Sequence, residues 1–231
     1  MLESLNKMNN VAKNNITLYH GTSDFNFKVN LKFNNPNNDY GSGLYLTDNL
    51  ELAKEWSVSG VIDKTKGLVK EFKLDLEGLK ILDLSKMDSL YWITILLNNR
   101  KIDNLNKVIK KKIYNLSSKY NIDLDGYDVI KGYRADDSYY AYMKDFLFDS
   151  LYLDDLEKSI TLGNLGIQYC IKSEEAFNRL IEVNSHYAGK VDRDRYLSRD
   201  REARRRYNDI IKNQSLVEMT LSDILRRDGL C

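Results

Sequence analysis

Two short segments hold most of the residues that can do chemistry: Tyr19-His20-Gly21-Thr22 and Tyr40-Gly41-Ser42-Gly43-Leu44-Tyr45-Leu46-Thr47. The first closes an apolar run from Ile16 that reads as a strand. The second passes through a glycine-marked turn into another strand, then into a helix carrying Ala53 and Trp56. A histidine, a tyrosine and a tryptophan are thereby placed around one pocket. Spacing excludes several chemistries. Gly41-Ser42-Gly43 is too short for a dinucleotide fingerprint, lacks the lysine of a phosphate loop and misses the nucleophile-elbow spacing. The two histidines and two cysteines do not fall at ligand spacing, so no metal site is expected. Asp136-Asp137 reads as a turn and helix cap rather than a catalytic pair. Taken singly, His20 also reads as a satisfied strand-end residue, Tyr45 and Trp56 as core aromatics, and Gln168 as a partner for a neighbour's backbone. Only their order along the chain favours a site.

The elements that must position these side chains follow from apolar periodicity. Strands are expected at 16–19, 43–47, 67–75, 80–84, 127–134 and 167–171. A helix is expected over 49–59, with Leu52 and Trp56 on one face. Two more helices follow residue 84, the second with a stripe of Leu105, Val108, Ile109, Ile113, Leu116 and Tyr120. Helices over 138–149 and 153–160 come next, and Ser173 starts another whose apolar positions are Phe177, Leu180 and Ile181. His186 reads as a surface residue in a turn. Residues 190–212 hold nine Lys/Arg against five Asp/Glu, with Tyr196, Ala203, Tyr207 and Ile210 on one stripe. This is an amphipathic tail helix, either docked on the domain or held out to a partner such as a nucleic acid; its acids weaken phosphate binding. The organisation expected is an arm over 1–15, a domain over 16–184 and a basic helical extension over 185–231.

Composition narrows the setting. The chain of 231 residues is 42% hydrophobic and 30% charged with net charge +1, as in an ordinary globular protein. No apolar run is long enough to span a bilayer and the polar start is not a secretory signal, so no membrane partner is expected. Cys170 and Cys231 do not suggest a disulfide framework. A cytoplasmic location is the default expectation.

A strand ending in His20-Gly21-Thr22, then Gly41-x-Gly43-x-Tyr45, then a helical aromatic eleven residues on at Trp56, resembles the ADP-ribosyltransferase superfamily. The similar branch is that of diphtheria-type toxins and poly(ADP-ribose) polymerases, with a histidine, a tyrosine and then a glutamate or its substitute. Gln168, opening the late strand Gln168-Tyr169-Cys170-Ile171, fits the third place. Uncharacterised bacterial domains with a similar Tyr-Asp-Val-Ile strand and Ala-Asp-Asp turn resemble the chain more closely still.

The resemblance implies an α+β fold with a split β-sheet core flanked by helices, and NAD as co-substrate. His20 would bond the adenosine ribose, Gly21 would offer its backbone to the nicotinamide amide, and Tyr45 and Trp56 would sandwich the nicotinamide ring. Gln168 would reach the nicotinamide ribose, with Thr22 and Gly43 completing the NAD-binding set. The implied activity is transfer of one ADP-ribose to a macromolecular acceptor, protein or nucleic acid, by a bacterial or phage toxin or defence effector that has a neutralising partner protein. The alternatives are NAD hydrolysis and an inactive NAD- or partner-binding module. Two departures from the pattern stand out. Gln168 replaces a carboxylate, leaving Asp136, Asp137 or Glu174 as candidates to supply it, and Ala53 stands where polymerases carry a hydroxyl.

Overall fold

The apolar run that leads to His20 becomes an eight-residue strand, β1 (Asn15–Thr22), in the computed structural model, which describes residues 15–31, 35–59, 66–100, 102–135, 137–214 and 218–230. The 1–15 arm therefore lies outside the described residues except for Asn15. After the glycine turn comes β2 (Leu44–Thr47), and then α1 (Leu50–Ser59), whose first turn is capped by the Asn49 side chain accepting from the Glu51 and Leu52 N–H groups. There follow β3 (Gly67–Asp75), β4 (Ile81–Asp83), α2 (Ser89–Asn99), α3 (Lys107–Tyr120), β5 (Val129–Tyr133), α4 (Asp137–Leu147), α5 (Leu153–Thr161) and β6 (Ile167–Ile171). The chain continues through α6 (Glu174–Asn178), β7 (Leu180–Ala188), α7 (Lys190–Lys212) and α8 (Leu221–Arg227).

The fold is α+β. Its seven strands form one mixed sheet in the order β4-β5-β6-β2-β1-β3-β7, antiparallel throughout except for the parallel β4–β5 pair. Helices flank the sheet and enclose two apolar cores. One gathers Trp92, Ile93, Leu96, Leu116 and Phe146 from α2, α3 and α4; the other gathers Leu18, Leu46, Phe72, Leu74 and Ile171 from the strands. No helix among the described residues is long and apolar enough to cross a membrane.

The sheet is split at its centre. β1 pairs with β3 along its whole length, from Asn15↔Asp75 to Thr22↔Leu68, and β2 pairs with β6 over four positions. β1 and β2 meet only at Tyr19↔Thr47. Beyond that point they diverge, and the gap opens beside His20 on one strand and Tyr45 on the other.

Three local expectations are corrected. The helix expected from Ser173 through Ile181 stops at Asn178, and Leu180 opens β7, which pairs antiparallel with β3 from Leu74 back to Gly67. Phe177, Leu180 and Ile181 fit a helical stripe, but a full-length strand partner outweighs so short a local pattern. His186 is consequently a strand residue bonded through Nε2 to Glu71 at 2.7 Å, not part of a turn. Val108 is 64% exposed and drops out of the α3 stripe, whose buried members are Ile109, Leu116 and Tyr120.

The boundary expected at 184/185 falls inside β7. The helix beyond it is docked rather than held out: α7 lies on α1, where Arg199 pairs with the buried Glu55, Arg195 pairs with Glu51 and Arg193 bonds to the Val58 carbonyl. On its outer face, Arg204 pairs with Asp200 while Arg205 and Arg206 pair with Glu202. Those two guanidinium groups hold the Glu202 carboxyl down at about 2.

Candidate functional site

Where β1 and β2 part, a cleft of about 460 Å³ opens, a size typical of ligand sites. His20 and Gly21 from β1, Gly43 and Tyr45 around β2, Trp56 from α1 and Gln168 from β6 all line it. Six of the seven residues singled out from the sequence therefore converge. Thr22 does not: it pairs with Leu68 on the β3 side, and its hydroxyl accepts from the Asp24 N–H at 3.1 Å.

His20 bridges the split. Its Nδ1 lies 2.8 Å from the Tyr45 carbonyl oxygen. A carbonyl only accepts, so Nδ1 carries the proton and Nε2 keeps its lone pair. Burial lowers the His20 pKa, the nearby Lys70 charge adds to this, and the Tyr45 bond opposes it. The ring stacks on Phe27 with centroids 4.5 Å apart.

Tyr45 is fixed at both ends. Its hydroxyl donates to the Gly41 carbonyl at 2.7 Å and accepts from the Tyr40 N–H at 2.9 Å, closing the glycine turn on itself. Burial is the main reason its phenol pKa is raised, so the group stays protonated. Cys170, the cross-strand neighbour of Tyr45, is likewise buried and its thiol is pushed up to about 12, which makes it a poor nucleophile.

Two glycines are explained by packing. A Cβ on Gly21 would lie 2.0 Å from the Ala53 carbonyl oxygen, so α1 can rest on β1 only if residue 21 has no side chain. A Cβ on Gly43 would meet Cys170 Sγ at 2.4 Å. Ala53 itself is fully buried beneath β1.

Trp56 presents its ring to the cleft, and the Arg134 guanidinium lies over that ring at 4.2 Å from the centroid. Its buried Nε1 has no acceptor among the described residues.

The carboxylate of the cleft is Asp39, which the sequence reading did not single out. Glu174 is exposed at the start of α6, and Asp136 and the Asp137 side chain lie outside the described residues. Asp39 is only 3% exposed. One carboxylate oxygen accepts from Arg100 Nε at 2.6 Å; the other accepts from the Ala135 N–H at 2.9 Å and Gln168 Nε2 at 2.7 Å. Gln168 Nε2 also donates to the Tyr133 carbonyl at 3.1 Å. Beside this network the Tyr40 hydroxyl donates to the same carbonyl and accepts from Trp92 Nε1. The only sequence signal for Asp39 is an acid placed directly before Tyr40-Gly41-Ser42-Gly43. For Arg100, Arg134 and Tyr196, the last reaching the cleft from α7, there is none. Among the described residues no cluster of His, Cys, Asp or Glu is arranged to hold a metal ion.

Fold and cleft together define an α+β protein with a partly apolar cleft where β1 and β2 part in a mixed sheet. The model of a family described as "Protein of unknown function (DUF3990)" matches residues 16–181, well over half the chain, and the protein belongs to that family. No curated protein and no solved structure matches it.

Proposed function

We propose that the cleft binds NAD and that the protein transfers a single ADP-ribose to a macromolecular acceptor, releasing nicotinamide. The observation carrying this reading is the convergence of His20, Tyr45, Trp56 and Gln168 on one cleft from four separate elements. This is the set that the resemblance to ADP-ribosyltransferases calls for. In the reaction the bond between ribose C1′ and the nicotinamide nitrogen breaks, and nicotinamide leaves with the bonding electron pair. C1′ then bonds to the acceptor's nucleophilic atom, whose proton passes to solvent.

Each residue has a part that its surroundings permit. His20 is held neutral, so its Nε2 can accept a hydrogen bond from a ribose hydroxyl. Tyr45 offers a ring that cannot rotate away, because both hydroxyl bonds fix it. Ring stacking there contributes about 0.5–1.5 kcal/mol beyond burial. Trp56 adds a second ring and a face already suited to a cation, as its Arg134 contact illustrates. The pyridinium ring of NAD is such a cation. Positive charge developing on the ribose requires an electron-rich partner placed in advance, and the Gln168 carbonyl is the one at hand.

The test is incubation of the pure protein with NAD and a cell lysate, following nicotinamide release together with ADP-ribose attached to macromolecules. Release with attachment supports transfer and shows whether the acceptor is protein or nucleic acid. His20→Ala and Tyr45→Ala should each abolish both signals while the fold survives; a variant working at the wild-type rate would sink the assignment. Release without attachment would recast the protein as an NAD hydrolase. One observation favours a second reading: the Gln168 amide nitrogen is already committed to Asp39 and Tyr133. A non-catalytic NAD- or partner-binding module is what the absence of nicotinamide release at high protein concentration would indicate.

A further inference from the structure

A glutamine amide is nearly symmetric in shape, with an acceptor oxygen at one end and two donor hydrogens at the other, so its partners decide which end points where. Around Gln168 the partners are one-sided. Asp39 Oδ2 at 2.7 Å and the Tyr133 carbonyl oxygen at 3.1 Å only accept. The amide nitrogen must face them, and both of its hydrogens are used. The carbonyl end is then the part of Gln168 left for the cleft that the residue lines.

We propose that Asp39 is a positioning residue for this site: it locks Gln168 so that its carbonyl oxygen, and not its amide nitrogen, faces the bound ligand. This rests on the reading of the cleft as an NAD site. Asp39 is equipped for the task. Its carboxylate receives Arg100 Nε at 2.6 Å and the Ala135 N–H at 2.9 Å in addition to Gln168, and its backbone carbonyl accepts from Asn99 Nδ2 at 3.0 Å. Every neighbour of the carboxylate is a donor, so only an all-acceptor group suits the position. A carboxylate accepting from an amide N–H also polarises that amide and makes its oxygen a better acceptor. Asp39 and Gln168 acting together thus present to a ribose hydroxyl the acceptor oxygen that a glutamate would have offered.

The test exploits the symmetry of a carboxylate. Asp39→Asn puts an NH2 among donors and removes one of the two acceptors that hold the Gln168 nitrogen, so the side chain is no longer held in one orientation and its nitrogen can reach the cleft. The kcat for nicotinamide release should then fall by about tenfold or more with KM changing less, since the lost contact is a hydrogen bond to the ribose that matters most as charge develops there. In a Gln168→Glu background both ends of the side chain are oxygens, so orientation no longer matters. There Asp39→Asn should cost nothing, or should help by relieving two adjacent carboxylates. A merely structural Asp39 would cost the same in both backgrounds, and that result overturns the proposal.

A second readout needs no turnover. In 15N-labelled protein the Gln168 side-chain NH2 pair, identified by its loss in Gln168→Glu, should be protected from exchange in the wild type and unprotected in Asp39→Asn. Equal exchange in the two proteins refutes the lock. If the wild type releases no nicotinamide but the NH2 pair is protected, the lock stands and the reading of the protein as a transferase has failed.

Discussion

Removing Arg199 tests how the C-terminal helix is held to the rest of the molecule. Glu55, one residue before Trp56 on α1, is 2% exposed, and its carboxylate receives Arg199 Nη2 from α7. The Arg199 side chain keeps 16% exposure and also donates through Nη1 to the Gly163 carbonyl at 2.9 Å. Breaking a buried pair by deleting one partner costs about 3–5 kcal/mol because a charge is left in low dielectric. The partial exposure of Arg199 favours the lower end, so Arg199→Met should cost about 3–4 kcal/mol. For a chain of this size each kcal/mol moves Tm by about 2–4 °C, which gives a drop of about 6–16 °C. Glu55→Leu/Arg199→Met, which removes both charges, should recover most of the loss.

The pH dependence follows from the same pair. Burial raises the Glu55 pKa, and the Arg199 charge and hydrogen bond oppose the rise. Without Arg199 the pKa goes higher. A carboxyl whose pKa is higher in the folded than in the unfolded chain holds its proton more tightly when folded. Its contribution is present below the unfolded value of about 4.3 and is lost as pH rises through the folded one. The deficit of Arg199→Met relative to wild type should therefore be widest near neutral pH and narrow towards about pH 5. Urea denaturation followed by tryptophan fluorescence at the two pH values measures it. A deficit below about 1 kcal/mol would refute the reasoning, as would one that persists in the double variant or ignores pH. Because Tyr196 reaches the cleft from the same helix, Arg199→Met should also weaken the proposed NAD binding, although Arg199 does not line the cleft.

Tyr45→Phe removes the hydroxyl that ties Gly41 and Tyr40 together, and should cost about 1–2 kcal/mol in urea while speeding exchange of the Tyr40 amide, whose partner is lost. Unchanged Tyr40 exchange would show that the turn is held by other contacts. His20 has its pKa lowered by burial, so the unfolded chain binds the proton more readily and stability should fall as pH drops below about 6.5. His20→Asn should flatten that part of the stability–pH curve, and identical slopes in the two proteins would mean that His20 is not held neutral.

Most of the site was legible in the sequence because its members sit in locally patterned segments. The strand that ends on His20, the glycine turn before Tyr45 and the face shared by Leu52 and Trp56 are short-range features, and β2, β3, β6 and α7 fall close to where periodicity puts them. Gln168 came from the resemblance, which puts the third residue of its set at the start of a late strand. What the sequence lacked was the other half of each long-range contact. Asp39 lies 129 positions from Gln168 and in a loop, so no spacing rule links them until β6 settles beside β2 and closes that distance to 2.7 Å. Tyr196 joins the cleft because α7 docks on α1, through Arg199 on Glu55, Arg195 on Glu51 and Arg193 on the Val58 carbonyl. Gly21 lines the cleft, and the close approach of α1 to it is visible only in the packing. Periodicity records which face of a segment is apolar, but which faces meet is decided by packing among segments far apart in the chain. The sequence alone determined the histidine, the tyrosine, the tryptophan and the elements that carry them. The tertiary structure alone decided that they share a cleft, and that its carboxylate is Asp39.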